Sequence, residues 1–292
     1  MEGAISSRPN TRVAVVTGGN KGIGFEVCRQ LASDGEVTVV LTARDETRGT
    51  EAVEKLRALG LTDDDVVFHQ LDITDESSIA SLGDFLKTRF GKLDILFAGM
   101  DTKQRLEWMI KTVREPIDAA KKAVETNYYG TKHVTQALLP LLLQSSSSSQ
   151  GKIVCVSSDY GLLKLIGDEE VRRDLDDIDN LTEERVDEVL HKFLSDFEAS
   201  ALEGRGWPAG FSASKVTLVA TNAFARIMAR RHPTLALRVN CADPGYVKTD
   251  MTMGSGVLTP EEGACSVVGV ALLPDGGPTG KYFTKGREAS FV

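Results

Sequence analysis

The residues Val13-Ala14-Val15-Val16-Thr17-Gly18-Gly19-Asn20-Lys21-Gly22-Ile23-Gly24 run from an apolar strand through a glycine-rich turn to the start of a helix. Val13 to Val16 is a short, unalternating apolar run, the pattern of a strand buried on both faces. Thr17 to Gly24 turns the chain, and Phe25 to Ser33 then carries Val27, Cys28 and Leu31 at helical spacing. Glycines at 18, 22 and 24 permit a tight turn, close approach of backbone to a ligand, and close packing of helix on sheet. The helix N-terminus offers unpaired N–H groups and a positive dipole end, which suit a pyrophosphate. Glycine-rich turns are common, but a strand before and a helix after point to a dinucleotide site.

Downstream, the pattern repeats. Strands are predicted at Val37–Thr42, Val66–Leu71 and Leu93–Phe97, with helices at Glu46–Leu59 and Ser77–Phe90 between them. This alternation calls for a parallel, doubly wound α/β sheet, because parallel neighbours need crossover helices. Pro116–Leu143 reads as one long helix containing Asn127, and Ser145–Ser149 as a flexible loop before a strand at Lys152–Ser157. Leu162–Ala209 interrupts the plan. Within it Val186, Val189, Leu190, Phe193, Leu194 and Phe197 form the apolar face of a helix that packs on the body. Ser212–Arg231 is a helix, Ala236–Cys241 a strand, and Pro244–Gly256 a glycine-containing loop. Thr259-Pro260-Glu261-Glu262 opens the last helix with a capping pattern, and Lys281–Thr284 is a final short strand. The expected architecture is one Rossmann-type domain over residues 1–292 with a helical insertion at about 162–209.

Composition narrows the function. The chain has 292 residues, 41% hydrophobic and 26% charged, enough for a large buried core. A net charge of −8 argues against nucleic acid or an anionic membrane as a general partner. No apolar run reaches membrane-spanning length. The polar Met1–Arg12 segment lacks a signal-peptide core, so a cytoplasmic location is expected. Cys28, Cys155, Cys241 and Cys265 have no paired spacing, and three of them sit within apolar predicted elements, which points to buried free thiols rather than metal ligands or disulfides.

The opening stretch also matches the TGxxxGIG signature of the short-chain dehydrogenase/reductase family, and the chain resembles the plant carbonyl-reductase-like group of menthone and salutaridine reductases. Leu41-Thr42-Ala43-Arg44-Asp45, Leu71-Asp72-Ile73-Thr74, Thr126-Asn127-Tyr128-Tyr129-Gly130 and Asp243-Pro244-Gly245-Tyr246-Val247-Lys248-Thr249-Asp250 support the resemblance. It implies NADP(H) bound by Thr17, Gly18, Asn20, Lys21, Gly22, Ile23 and Gly24. Arg44, just after the second strand, replaces the acid that would bond a free ribose hydroxyl and can pair with a 2′-phosphate; Lys21 adds a second cation. Asp72 and Ile73 fall at the adenine, and Pro244, Gly245, Val247 and Thr249 at the nicotinamide.

The same resemblance implies an Asn, Ser, Tyr and Lys set acting on a small-molecule carbonyl. Asn127 and Ser158 match the first two. Tyr-x-x-x-Lys is missing. Phe211 and Lys215 look like it by eye, but the family spacing to Arg226, fourteen residues before Asn240, places the pair at Ser214 and Leu218. The 211/215 register would insert three residues into a helix and rotate its faces by most of a turn. The family's Asn-Asn-Ala-Gly after the fourth strand is also absent, where this chain has Leu96-Phe97-Ala98-Gly99. Two readings follow. One is an NADPH-dependent reductase of a ketone or aldehyde with impaired Tyr and Lys positions. The alternative is a weak or inactive relative that binds NADPH or a protein partner. Tyr160 or Tyr246 is the candidate substitute for the missing phenol. The insertion implies a monomer, since in this group it covers the surface other members use to pair.

Overall fold

The apolar runs are separated by amphipathic helices, and the chain winds them into one sheet. A computed structural model of the protein describes residues 11–33, 35–98, 116–144, 150–208, 210, 212–232, 237–252, 254 and 256–292. The strands are β1 (Arg12–Val16), β2 (Val37–Ala43), β3 (Val66–Gln70), β4 (Ile95–Ala98), β5 (Gly151–Val156), β6 (Leu237–Asp243), β7 (Tyr282–Thr284) and β8 (Arg287–Ala289). Their order is β3-β2-β1-β4-β5-β6-β7-β8. All neighbours are parallel except β7 and β8. The helices are α1 (Gly22–Ser33), α2 (Glu46–Ala58), α3 (Glu76–Arg89), α4 (Ile117–Ala123), α5 (Gly130–Leu143), α6 (Glu169–Asp176), α7 (Glu183–Glu198), α8 (Ser212–Arg231) and α9 (Pro260–Ala271).

Alternation along each strand divides the core in two. Val13, Val15, Leu96 and Ala98 point to the layer of α3, α5 and α8, with Leu82, Leu138 and Val216. Ala14, Val16, Ile95 and Phe97 point to the layer of α1, α2 and α9, with Val27, Val53 and Val267. Because both faces are covered, these strands are continuously apolar, which is why the sequence marks them clearly. Chain order reverses between β1 and β4, and the crevice beyond the carboxyl ends of those strands is the place where such sheets take ligands.

Three details depart from the sequence reading. The predicted long helix is two α-helices joined by a π turn at Val124–Tyr129, in which the Gly130 N–H reaches back to the Glu125 carbonyl. The last strand is half of a hairpin: Lys285 and Gly286, with φ of 50° and 71°, turn the chain into β8. β4 starts at Ile95, two residues later than expected. Ahead of it, the buried Asp94 carboxylate accepts the Val13 N–H at 2.7 Å.

The insertion folds as α6 and α7. Thr182 caps α7, and Val186, Val189, Leu190 and Phe193 are buried, with Leu194 and Phe197 packed beside them. Lys132 of α5 reaches Glu183 at 3.2 Å and Asp187 at 3.0 Å. Arg226 and Arg230 of α8 donate to the Leu175 and Asp176 carbonyls at the end of α6 and to the Ile178, Asp179 and Leu181 carbonyls of the α6–α7 connection. The expected packing of this segment on the body is therefore present. Thr259 and Glu262 form the predicted reciprocal cap of α9. Cys28, Cys155 and Cys241 are buried, whereas Cys265 is exposed. Among the described residues no helix is long and apolar enough to cross a membrane.

Candidate active site

The glycine turn is fixed from both sides. The Thr17 N–H and hydroxyl both donate to the Phe97 carbonyl, at 3.0 and 3.1 Å, tying β1 to β4. Gly18 has φ of 69°, a conformation glycine adopts without strain. A Cβ on Gly24 would lie 2.4 Å from the Gly18 carbonyl oxygen, so α1 can begin this close to the turn only with glycine there. The first turn of α1 holds no acidic residue of its own to offset its positive end. Asn20 and Ile23 complete this stretch and are partly buried. These features fit a pyrophosphate.

Arg44 follows β2 and is exposed, and its carbonyl accepts from Gln70 at 2.8 Å. Asp72 follows β3 and uses Oδ1 to accept the Thr74 N–H and hydroxyl, at 2.9 and 2.7 Å. Ile73 is buried against Gly130, where an added Cβ would meet it at 2.9 Å. Lys21, expected as a second cation for a 2′-phosphate, forms an ion pair with Asp250 at 2.7 Å. That pair is solvent-exposed and weak enough for a phosphate to compete.

The loop after β6 closes over the turn. Gly245, at φ of 80°, donates its N–H to Asp243 at 2.8 Å. Val247 is buried and bridges to Leu258, and a Cβ on Gly22 would stand 3.8 Å from the Thr249 methyl. Burial holds the Asp243 carboxyl above the usual range, opposed by the bonds from Gly245 and Thr284, with nearby Asp159 pushing it further up.

Ser158 follows β5 and caps the turn Asp159–Gly161, its hydroxyl accepting the Tyr160 N–H at 3.3 Å. This turn lies on α8. Asn222 donates to the Gly161 carbonyl at 2.9 Å and accepts from the Ser157 hydroxyl at 2.8 Å. A Cβ on Gly161 would meet the Leu218 Cβ at 3.0 Å. Asn127, in the π turn, donates to the Thr217 hydroxyl at 3.2 Å. Leu218 thus sits between the residues that hold Asn127 and those that hold the Ser158 turn. Ser214, one turn earlier, is also buried and its carbonyl accepts from Thr217. Lys215 extends to the Tyr160 ring, its Nζ 5.2 Å from the centroid. Phe211, the partner of Lys215 in the alternative register, lies outside the described residues, as do Gly99 and Met100.

Asn222, Thr217 and the Tyr160–Lys215 contact were not assigned from sequence. Asn222 stands four residues after Leu218, one helical turn along the same face, so the 214/218 register carried a signal for it. The Tyr160–Lys215 contact joins two elements and has no such signal.

Residues 12–168 match the family described as short chain dehydrogenase. The (+)-neomenthol dehydrogenase of Capsicum annuum is 44% identical over 314 residues, covering 97% of this chain and 98% of that one. Carbonyl reductase [NADPH] 3 of Mus musculus is 38% identical, covering 90% and 92%. The solved structure of salutaridine reductase from Papaver somniferum has a TM-score of 0.83 at 44% identity, covering 93% of this chain and 99% of that one.

Proposed function

Because the chain belongs to the short-chain dehydrogenase family, we propose that this oxidoreductase uses NADPH to reduce the carbonyl of a small ketone or aldehyde, slowly. NADP(H) is its cofactor: the glycine turn takes the pyrophosphate, and Arg44 follows β2 where an acid would favour NAD. When bound, the cofactor supplies a hydride. The observation that carries the reading is the convergence of Ser158 and Asn127 on one stretch of α8. In it, Ser158 orients the carbonyl by donating from its hydroxyl, and Asn127 anchors the proton path behind it.

Ser214 and Leu218 take the places of the family's Tyr and Lys in this proposal. Leu218 lying against Gly161 supports that register. Neither side chain is an acid near neutral pH, so these two positions supply no proton and turnover is slow; a general acid placed in the family's geometry is worth about 10²–10⁴ in rate. The substrate class rests on the relatives, whose names specify neomenthol and salutaridine. The docking of α7 over α5 and α8 supports a monomer. Fluorescence titration with NADPH and NADH, followed by NADPH oxidation with menthone, tests the reading. Tighter NADPH binding and slow, ketone-dependent oxidation are expected. NADPH binding without any ketone-dependent oxidation contradicts it and favours a binding role.

A further inference from the structure

Ser158 is clamped by its own turn. The Gly161 N–H donates to the Ser158 carbonyl at 2.7 Å, and Asn222 holds the Gly161 carbonyl, so residues 158 to 161 are fixed against α8. Gly161 has no room for a side chain, and Tyr160, the residue before it, projects outward with 54% of its surface exposed. Tyr160 is two residues from Ser158, and its N–H donates to the Ser158 hydroxyl oxygen. On α8, positions 215, 218 and 222 share one face. Leu218 and Asn222 touch the turn, and Lys215, a turn nearer the helix start, places its ammonium 5.2 Å from the Tyr160 ring centroid. Burial also holds the Lys215 ammonium below its ordinary value. The structure therefore brings a tyrosine ring and a cation together two residues from Ser158, from two different elements.

Resting on the carbonyl-reductase reading, we propose that Tyr160 is the proton donor of this site and that Lys215 is its positioning cation, replacing the pair lost at Ser214 and Leu218. The balance is complete. A hydride from NADPH forms the new C–H bond at the carbonyl carbon, and the nicotinamide is oxidised. The C=O π pair takes the Tyr160 hydroxyl proton and becomes the alcohol O–H. Tyr160 is left as a phenolate, faced by the Lys215 charge, and regains a proton from solvent, to which it is open. A fixed cation favours the charged form of a neighbouring group.

The test uses the full chain with menthone, saturating NADPH and variants checked for unchanged thermal melting. Tyr160 is exposed, so Tyr160→Phe removes only a hydroxyl from the surface. Its kcat is expected to fall about a hundredfold with KM and NADPH affinity within about twofold. Lys215→Met is expected to lower kcat about tenfold at unchanged KM, and Lys215→Arg to retain most of it, a rescue that a packing role does not require. Tyr160→Phe with wild-type kcat overturns the proposal. So does a wild-type chain without turnover. In that case Ser214→Tyr/Leu218→Lys separates the two claims: activity in this double variant keeps the carbonyl-reductase reading while rejecting Tyr160. Inactivity in both rejects the reading itself.

Discussion

Asp243 is buried at the end of β6, with its carboxylate held by the Gly245 N–H and the Thr284 hydroxyl at 2.8 and 3.0 Å and with Asp159 nearby. Its carboxyl is raised in the folded state, chiefly by burial, so the native chain binds this proton more tightly than the unfolded chain. Stability from this residue is then present at low pH and is lost as pH rises from the ordinary aspartate value through the raised native one. Asp243→Asn keeps an acceptor for Gly245 and a polar group for Thr284. Relative to the wild type it is expected to gain stability as pH rises above the ordinary aspartate value of about 4, measured by urea unfolding. A relative loss over that range would contradict the assignment. On the proposed reading Arg44 selects NADPH over NADH. Arg44→Ala is expected to weaken NADPH binding about tenfold to a hundredfold and to leave NADH nearly unchanged, read by fluorescence titration.

Helix α8 carries the question of register. If Ser214 and Leu218 hold the lost pair's positions, Ser214→Tyr/Leu218→Lys should raise NADPH oxidation about a hundredfold over the wild type, beyond either single change. Phe211→Tyr, beside the existing Lys215, should do little. The opposite ranking would restore the 211/215 register. A second element-scale expectation concerns α5 and α7. Lys132 is nearly buried between Glu183 and Asp187, so Lys132→Met should cost about 2 kcal/mol in urea unfolding by leaving Glu183 less well paired. How far sequence carried the structure differs by element. β1, the glycine turn and α1 were legible because a strand buried on both faces and a helix with one apolar stripe each impose their own period. The π turn holding Asn127 was not, since Val124–Tyr129 keeps helical residues and its extra residue per turn is set by packing. β8 was missed because Arg287-Glu288-Ala289 forms a polar, largely exposed edge without an apolar signal. Ser158 and Asn127 were named by resemblance, whereas the Tyr160–Lys215 contact depends on how the β5 turn lies on α8.

At the scale of the whole molecule, one continuous sheet brings residues from β1, β2, β5, β6 and α8 to a single edge. The insertion packs against the C-terminal half of α8, joined to it by Arg226 and Arg230. Light scattering at micromolar concentration is therefore expected to give a monomer, and a stable dimer would mean that α7 does not cover the pairing surface. On the proposed reading this edge transfers a hydride from NADPH to a carbonyl. Incubation with menthone and NADPH deuterated at the transferable C4 position, followed by mass spectrometry of the product, tests it without depending on rate. An alcohol carrying one deuterium on its carbinol carbon, formed slowly with NADPH, is expected. Prolonged incubation at saturating cofactor with no deuterated alcohol from menthone or a panel of other cyclic ketones would contradict it.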